Sequence, residues 1–183
     1  MRDQIYIRNM VLTSLFMAVG LVLPYFFHLL GAGQAFLPMH LPVLVCGLVC
    51  GWQWGLLVGA TLPLLSSLIT GMPPLFPMAV AMMFELATYG FLSGRLLLSC
   101  SKRCGGLYLA LSVAMLGGRL VSGVARLVLF GLAGMPFGWQ LFISGALLTS
   151  FPGILLQLVI VPPLTLAIKR LPVNRINTVD GGF

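Results

Sequence analysis

The sequence predicts an all-α integral membrane protein with six transmembrane helices and both termini in the cytoplasm. Three observations predict it: the composition, the number of charge-poor stretches and the placement of lysine and arginine. Hydrophobic residues make up 60% of the 183 residues and charged residues 7%, and the mean hydropathy is +1.09. A soluble domain usually carries about 25% charged residues. We therefore expect residues 1–183 to form one membrane domain surrounded mostly by lipid.

The charge-poor stretches are numerous enough for six crossings, since a helix needs roughly 20 apolar residues to cross about 30 Å of hydrocarbon. The expected helices are 9–30, 41–52, 54–70, 77–97, 107–130 and 143–168. The second is short, and only the segment GWQWG separates it from the third. Six helices use nearly the whole chain, so no separate soluble domain is expected. The sequence has no P-loop pattern of glycines ending in Gly-Lys-Ser/Thr, so we do not expect the protein to hydrolyse ATP by itself.

Lysine and arginine lie at one set of helix ends, which predicts the orientation. With six crossings, one side of the membrane holds Arg2, Arg8, Arg95, Lys102, Arg103, Lys169, Arg170 and Arg175. The segments on the other side, 31–40, 71–76 and 131–142, contain neither residue type. Because cytoplasmic loops carry the positive excess, both termini are expected in the cytoplasm, with Arg2 and Arg8 preceding the first helix. This topology accounts for the net charge of +7, and no nucleic-acid partner is expected.

Small residues recur at every fourth position in several helices. They are Gly47, Gly51, Gly55 and Gly59 across the second and third helices, Ala110, Ala114, Gly118 and Ser122 in the fifth, and Ser14 and Ala18 in the first. Such stripes let helix backbones approach closely in lipid, and we expect the two longer ones to serve packing within the bundle. The cysteine pairs Cys46/Cys50 and Cys100/Cys104 lack the Cys-x-x-Cys spacing of zinc sites, so no metal site is expected.

Three exterior loops combine proline or glycine with bulky apolar residues. GMPPLFP at 71–77 and GMPFGW at 134–139 share Gly-Met-Pro, and GAGQAFLPMHLP at 31–42 contains Phe, Met and His. Exposed apolar side chains of this kind either sink into the headgroup layer or close over a cavity. In the second interpretation the loops act as lids, and Met72, Pro73 and Trp139 are candidate contacts to a bound molecule.

One of the three acids in the chain, Glu85, falls inside an apolar run. If the fourth helix enters from outside near Met78, Glu85 lies about 10–12 Å deep at 1.5 Å per residue. A charge near the bilayer centre costs about 2.5–3.5 kcal/mol on insertion scales and usually has a partner in the bundle interior. Arg119 and Arg126 in the fifth helix are seven residues apart, so they share one helix face, and both are within plausible reach of Glu85.

Two interpretations follow for these charges. A structural salt bridge between the fourth and fifth helices explains one arginine and leaves the other without an acidic partner. Alternatively, a polar pocket opens outward, and Arg119 or Arg126 faces a ligand, because an unmatched guanidinium requires an anion or a water-filled cavity. His40, Tyr89 and Gln157 lie at compatible depths, as ligand contacts or as interhelical hydrogen bonds.

Catalysis is not indicated by these residues. Glu85 is the only acid within the predicted helices, and no Gly-x-Ser-x-Gly elbow occurs. We expect no enzyme and no cofactor.

Five segments of the sequence, taken together, resemble one known family. The segments LPMHLPVL, TLPLLSS, GMPPLFP, FELATYG and GGRLVSG resemble the substrate-binding S components of energy-coupling factor (ECF) vitamin transporters, and the resemblance covers the six-helix layout and most of the chain. It implies a subunit of a prokaryotic plasma membrane that captures a micronutrient from outside. Such a subunit joins a membrane coupling protein, the T component, and two cytoplasmic ATPases that use the ATP.

The resemblance also implies where contacts lie. Family members pair with the coupling protein through small residues of the first helix, often Ala-x-x-x-Ala, which corresponds here to Ser14 and Ala18. The binding site of the family corresponds to loops 31–40, 71–77 and 131–140, together with Glu85, Arg119 and their neighbours.

The substrate is left open between several chemistries. One intramembrane acid against two bases favours a ligand with an anionic or strongly accepting group, and pantothenate, which carries a carboxylate, hydroxyls and an amide, is the favoured substrate. A neutral pyridoxine-like vitamin also fits, and a cationic deazapurine such as a queuosine precursor would use Glu85. The competing function is a self-sufficient six-helix carrier with Glu85 as a proton site, and a third is a structural subunit without a ligand.

Overall fold

The computed structural model describes residues 2–29, 38–99, 104–134 and 151–170. These residues form six α-helices and no strand: α1 (Arg2–Leu29), α2 (His40–Cys50), α3 (Trp52–Thr70), α4 (Val80–Ser99), α5 (Cys104–Leu132) and α6 (Phe151–Arg170). A π-helical turn, Leu75–Ala79, leads directly into α4. The all-α fold class is confirmed.

Five stretches of these helices are long and apolar enough to cross a membrane. They are Asp3–Phe27, Trp52–Thr70, Leu75–Ser99, Gly105–Leu132 and Gly153–Arg170. The sixth helix, α2, has 11 residues, and at 1.5 Å per residue it is about 16 Å long. It therefore cannot cross the hydrocarbon layer as a helix alone. The chain is a multi-pass membrane protein, while six crossings and cytoplasmic termini stay predictions.

The first helix begins earlier than the sequence indicates. It starts at Arg2, so the expectation that Arg2 and Arg8 precede it is wrong. Arginine is a good helix former, and its long side chain can carry the charge away from apolar surroundings. The two arginines therefore indicate where the membrane span begins, while the helix itself begins earlier. At the other end of the chain, part of the predicted helix 143–168 lies outside the described residues.

The contacts between neighbouring helices show that α1 to α4 alternate in direction. Asn9 of α1 donates a 3.3 Å hydrogen bond to the carbonyl oxygen of Cys50, at the end of α2. The Tyr6 and Trp54 rings lie 5.3 Å apart between α1 and the start of α3. His40 at the start of α2 instead contacts Glu85 near the start of α4. One end of the bundle therefore gathers the starts of α2 and α4, and the opposite end holds the start of α1.

Glycine backbones form the contact between α2, α3 and α4. A Cβ added to Gly55 would lie 2.6 Å from Gly47 Cα and 2.6 Å from the carbonyl oxygen of Gly90, and a Cβ on Gly59 would collide with Leu86. No side chain larger than hydrogen fits at these positions. The predicted packing role is confirmed for Gly47, Gly55 and Gly59. Gly90 of α4, which the sequence pattern did not single out, is the partner of Gly47 and Gly55.

Gly51 interrupts this stripe and has a different role. Its φ is +100° and its Cβ position is open, while its N–H donates to the carbonyl oxygen of Gly47 at 3.2 Å. Such a φ favours glycine because it carries no Cβ. Gly51 therefore forms the tight turn between α2 and α3, and the expectation that it packs with the other three is corrected.

The small-residue stripe of α5 lies on its buried face. Ala110, Ala114 and Ser122 are buried, and Gly118 lies directly against the ring of Tyr89. The opposite face exposes Leu116, Leu120 and Val124, which suits a lipid environment. The packing prediction for this stripe is confirmed. Because the stripe packs inward, the polar residues of α5 face α4.

Candidate functional site

Glu85 lies inside the bundle because it belongs to the buried face of α4. Ala81, Glu85, Tyr89 and Ser93 recur every fourth residue and are all buried. Residues four apart lie on one helix face, so this row points inward together. Glu85 is only 2% exposed. The inward direction of the row explains how a carboxylate comes to lie among apolar residues.

The two oxygens of the carboxylate have matching surroundings. Oε1 accepts a hydrogen bond from the Tyr89 hydroxyl at 3.2 Å and lies 3.7 Å from Arg119 Nη1. Oε2 accepts a hydrogen bond from Ser122 Oγ at 2.7 Å and lies 3.8 Å from Arg126 Nη2. Each oxygen thus has one neutral hydroxyl donor and one guanidinium.

The spacing along α5 produces this arrangement. Arg119, Ser122 and Arg126 stand at positions i, i+3 and i+7, which share one face of a helix. The serine lies between the two arginines, so its short side chain reaches one carboxylate oxygen while the long arginines approach from either side. We refer to these residues, with those of α2 and α4 that join them, as the Glu85 cluster: His40, Glu85, Tyr89, Arg119, Ser122 and Arg126.

Both ion pairs are loose. The N–O distances of 3.7 and 3.8 Å exceed the roughly 2.7–3.2 Å of an N–H···O hydrogen bond. The side chains of Arg119 and Arg126 are 19% and 27% exposed, against 2% for Glu85. The carboxylate therefore attracts both guanidiniums without receiving a short hydrogen bond from either in these contacts, and both arginines extend towards the surface of the described bundle.

His40 completes the cluster from α2. Its ring centroid lies 5.2 Å from that of Tyr89, with the planes tilted by 58°. Its Nε2 lies 3.5 Å from Oε1 of Glu85, and the side chain is 2% exposed. Neither ring nitrogen has a hydrogen bond within the described part of the chain. The imidazole is thus a buried polar group with hydrogen-bonding capacity beside the carboxylate.

The ring of Tyr89 depends on a glycine of α5. A Cβ added to Gly118 would overlap the Cδ1 and Cε1 atoms of Tyr89. The Cδ1 and Cε1 atoms of the aromatic ring therefore lie directly against α5 at Gly118, and the His40 ring lies beside the same tyrosine. We call this place between α5 and His40 the Tyr89 slot. This contact fixes the direction of the hydroxyl that donates to Glu85.

The predicted site residues divide into two groups. The structure brings together His40, Glu85, Tyr89, Arg119 and Arg126. The polar contacts described for Glu85 do not include Gln157 or Met72. Their roles, like every ligand contact, stay predictions.

The second group consists of the predicted site residues for which no contact with Glu85 is described. Gln157 is buried on α6, and its Nε2 has no hydrogen bond among the described residues. The Met72 side chain is exposed, and its carbonyl oxygen accepts hydrogen bonds from Ser66 and Thr70 at 2.9 and 3.1 Å. Pro73 is half-buried in the same loop. Trp139 lies outside the described residues, as do most of loops 31–40 and 131–140.

One expectation about the charges is wrong. A salt bridge was expected to leave one arginine without an acidic partner, but both lie within 4 Å of the same carboxylate. Ser122 and Gly118 were not predicted as site residues, although both belong to the small-residue stripe. The available signal was the position of Ser122 between two arginines on one helix face.

The surface of α1 contains the other predicted contact. Ser14 and Ala18 are both exposed, and Ser14 Oγ donates to the carbonyl oxygen of Met10 at 3.0 Å. The hydroxyl is therefore satisfied inside its own helix. The two small residues lie on a surface of α1 whose other exposed side chains are larger, such as Val11 and Leu15.

The described residues contain no group of three or more His, Cys, Asp or Glu that would hold a metal ion. Cys46 and Cys50 are buried free thiols. Cys46 Sγ lies 3.8 Å from the Thr13 hydroxyl, so this pair belongs to the contact between α1 and α2.

Comparison with known proteins gives one match. The family model described as "ECF transporter, substrate-specific component" matches residues 8–165, a range that includes every member of the Glu85 cluster. A search of curated proteins and a search of solved structures each returned no significant match.

Proposed function

Because the chain belongs to the family of substrate-specific components of ECF transporters, we propose that it captures a small water-soluble micronutrient at the Glu85 cluster, from the exterior side, for an ATP-driven importer. Members of this family are transport subunits. The proposed site lies at the end of the bundle where α2 and α4 begin. On the predicted topology this end faces outward.

The observation that supports this site is the pair of partly exposed arginines on one buried carboxylate. A structural ion pair needs a single cation, and each further charge taken out of water carries a desolvation cost. Ionisable residues inside a membrane bundle usually serve a transported ion or ligand. Arg119 and Arg126 both lie beside the carboxylate and are still partly exposed, which is the combination that a binding site requires.

The family implies a T component and ATPase partners. We propose that the exposed small residues Ser14 and Ala18 form the contact with the T component, because close helix approach in lipid depends on small side chains. Two cytoplasmic ATPases would then supply the energy for release into the cell. A prokaryotic plasma membrane is the proposed location.

Pantothenate is the substrate that we propose first. It carries a carboxylate for the arginines, and its hydroxyl and amide groups suit His40 and Tyr89. A pyridoxine-like vitamin and a cationic deazapurine are the alternatives. A calorimetric titration of the purified protein with pantothenate, pyridoxine and a 7-deazapurine distinguishes them, and the proposal expects one of these classes to bind. If none binds and no other small molecule does, the capture role is refuted.

A proton-coupled carrier is the second candidate, favoured by the 3.5 Å approach of His40 to Glu85. Two protonatable groups in contact inside a membrane are typical of proton relays. Reconstitution in liposomes separates the two functions. The S-component proposal expects substrate binding without uptake when the protein is alone, even under a pH gradient. Uptake driven by that gradient in the absence of partners would establish the carrier instead.

A further inference from the structure

The loop between α3 and α4, residues 71–76, exposes a group of apolar side chains. Those of Met72, Leu75 and Phe76 are 63%, 48% and 50% exposed, and Pro74 is exposed beside them. Apolar side chains grouped in this way on a protein surface usually mark contact with another molecule or with a membrane. The surroundings of the loop indicate which of these it contacts.

The apolar surface of the loop follows directly on that of α3. Leu68 and Ile69, in the last turn of α3, are also exposed, and they belong to a stretch long and apolar enough to cross a membrane. The chain has no Asp, Glu, Lys or Arg between Arg8 and Glu85. No charged side chain therefore holds this end of α3 in water, and the lipid around α3 can extend over the loop.

The backbone of the loop suits a place with little water. The segment GMPPLF contains two adjacent prolines, which have no N–H group. Gly71 donates its N–H to the carbonyl oxygen of Ser67 at 3.0 Å, and Met72 donates its N–H to the Thr70 hydroxyl at 3.3 Å. From residue 71 to residue 74, each N–H group is thus absent or bonded, which lowers the cost of taking this backbone out of water.

Hydrogen bonds also fix both sides of the loop. Ser66 is almost fully buried, and its Oγ donates to the carbonyl oxygen of Met72 at 2.9 Å. On the other side, Ala79 donates its N–H to the carbonyl oxygen of Pro74 at 2.9 Å, within the turn that leads into α4. The loop is therefore tied both to α3 and to the start of α4.

We propose that loop 71–76 is a fixed lipid anchor, in which Met72, Pro74, Leu75 and Phe76 lie between the lipid headgroups and the acyl chains. Irregular backbone exposed to lipid is not tolerated in the hydrocarbon centre. The loop therefore lies at the boundary, where the apolar side of an interfacial segment reaches about 5–10 Å inward. On the predicted topology this boundary belongs to the outer leaflet.

The anchor gives this loop a role other than that of a lid. A lid has to leave the bundle and return, whereas loop 71–76 keeps its position, and the Met72 side chain contacts lipid instead of a bound molecule. Because the turn Leu75–Ala79 leads directly into α4, the position of the loop also sets the depth of Glu85 in the bilayer. The anchor is independent of the capture function proposed above.

Nitroxide labels on introduced cysteines measure what surrounds the loop. The variants are Leu75→Cys and Phe76→Cys, each labelled and placed in liposomes. The background protein keeps the buried free thiols of α2 and carries Cys100→Ser and Cys104→Ser. Collisions of the label with oxygen, which concentrates in lipid, are compared with collisions with a water-soluble nickel chelate.

Two exposed positions serve as references for this ratio of collisions. Leu116→Cys lies on the exposed apolar face of α5, and Asp3→Cys lies in the first turn of α1. The labels at Leu75 and Phe76 should give ratios close to that of the Leu116 label, since lipid surrounds all three. Ratios close to that of the Asp3 label would place the loop in water and overturn the lipid contact.

A second variant tests whether the loop is fixed. Ser66→Ala removes the hydroxyl that holds the Met72 carbonyl oxygen, so the Phe76 label should become more mobile. Thr61→Ala is the matched control in the same helix, because that hydroxyl donates to the carbonyl oxygen of Leu57 within α3 at 2.8 Å. Its label should be as restricted as in the parent protein.

Equal mobility of the Phe76 label with and without the Ser66 hydroxyl overturns the fixed position. If Ser66→Ala does not fold, the Leu116 label supplies the comparison. A Phe76 label that is much more mobile than the Leu116 label then shows a loop that moves freely, as a lid requires. Similar mobility at the two positions supports the anchor.

Discussion

Ser122 Oγ donates a 2.7 Å hydrogen bond to Oε2 of Glu85, and this contact joins α5 to α4 between two arginines. Both residues are almost fully buried. A hydrogen bond to a buried charge stabilises a protein more than one between neutral groups. Without this donor, the buried carboxylate oxygen would lack a hydrogen bond, since water does not reach it. The serine that completes the small-residue stripe of α5 is therefore also the residue that orients the acid.

Replacing this serine is expected to destabilise the protein. Ser122→Ala removes the shortest hydrogen bond of Glu85 and should lower the free energy of unfolding by about 1.5–3 kcal/mol. Thermal unfolding of the purified protein in detergent measures the change. Ser14→Ala is the matched control, because that hydroxyl is exposed and bonds within its own helix. Equal stability of the two variants would contradict the role assigned to Ser122.

The slot for Tyr89 gives a second prediction. Gly118→Ala places a methyl group where the Tyr89 ring lies, which should displace the hydroxyl from Glu85 and weaken ligand binding by about tenfold or more. The neighbouring Gly117→Ala meets only the end of the Leu92 side chain, which can rotate away. Ligand titration of both variants should show a loss for the first alone. Unchanged affinity for Gly118→Ala would show that Tyr89 does not need this slot.

The glycine contact between α3 and α4 should be intolerant of any side chain. Gly55→Ala sets a methyl group against the backbone of Gly47 and Gly90, and overpacking of this kind costs about 1–3 kcal/mol. Gly105→Ala is the control, because nothing lies near its Cβ position and alanine favours helix by up to about 1 kcal/mol. In thermal unfolding, Gly55→Ala should be less stable than the parent protein and Gly105→Ala slightly more stable. A Gly55→Ala protein as stable as the parent would refute the backbone contact.

The surface of α1 gives a prediction about partners. Enlarging both small residues, in the double variant Ser14→Leu and Ala18→Leu, should leave ligand affinity unchanged because both side chains are exposed. Association with the T component should fall by about tenfold or more, since small residues permit close helix contact. Co-purification of the tagged complex measures this. Val124→Leu on the exposed face of α5 is the control, and wild-type assembly by the α1 variant would exclude this surface.

Composition and charge placement were sufficient to predict the fold class and the central acid. A helical chain with so few polar residues requires lipid, and a lone buried carboxylate requires cations, so Glu85, Arg119 and Arg126 could be identified by chemistry alone. Residue spacing also showed that the two arginines share a face. It could not show how α5 is rotated about its axis relative to α4, and for that reason the approach of both arginines to one carboxylate was missed.

The remaining differences have similar causes. Ser122 was assigned to packing because a small residue in a stripe satisfies that role without further function. Gly51 continued a regular pattern, and only its positive φ distinguishes a turn glycine from a packing glycine. The start of α1 was set too late because hydropathy marks the membrane span, whereas helix formation depends on backbone hydrogen bonds that polar residues also support.

The central claim is that the Glu85 cluster holds the captured molecule, and mass spectrometry of co-purifying small molecules tests it most directly. The unmodified protein and the control Leu120→Ala, which changes an exposed residue next to Arg119, should release the same small molecule on denaturation. Arg119→Ala, purified in the same folded state, should release at least about tenfold less of it. Equal amounts of that molecule from all three proteins would contradict the account.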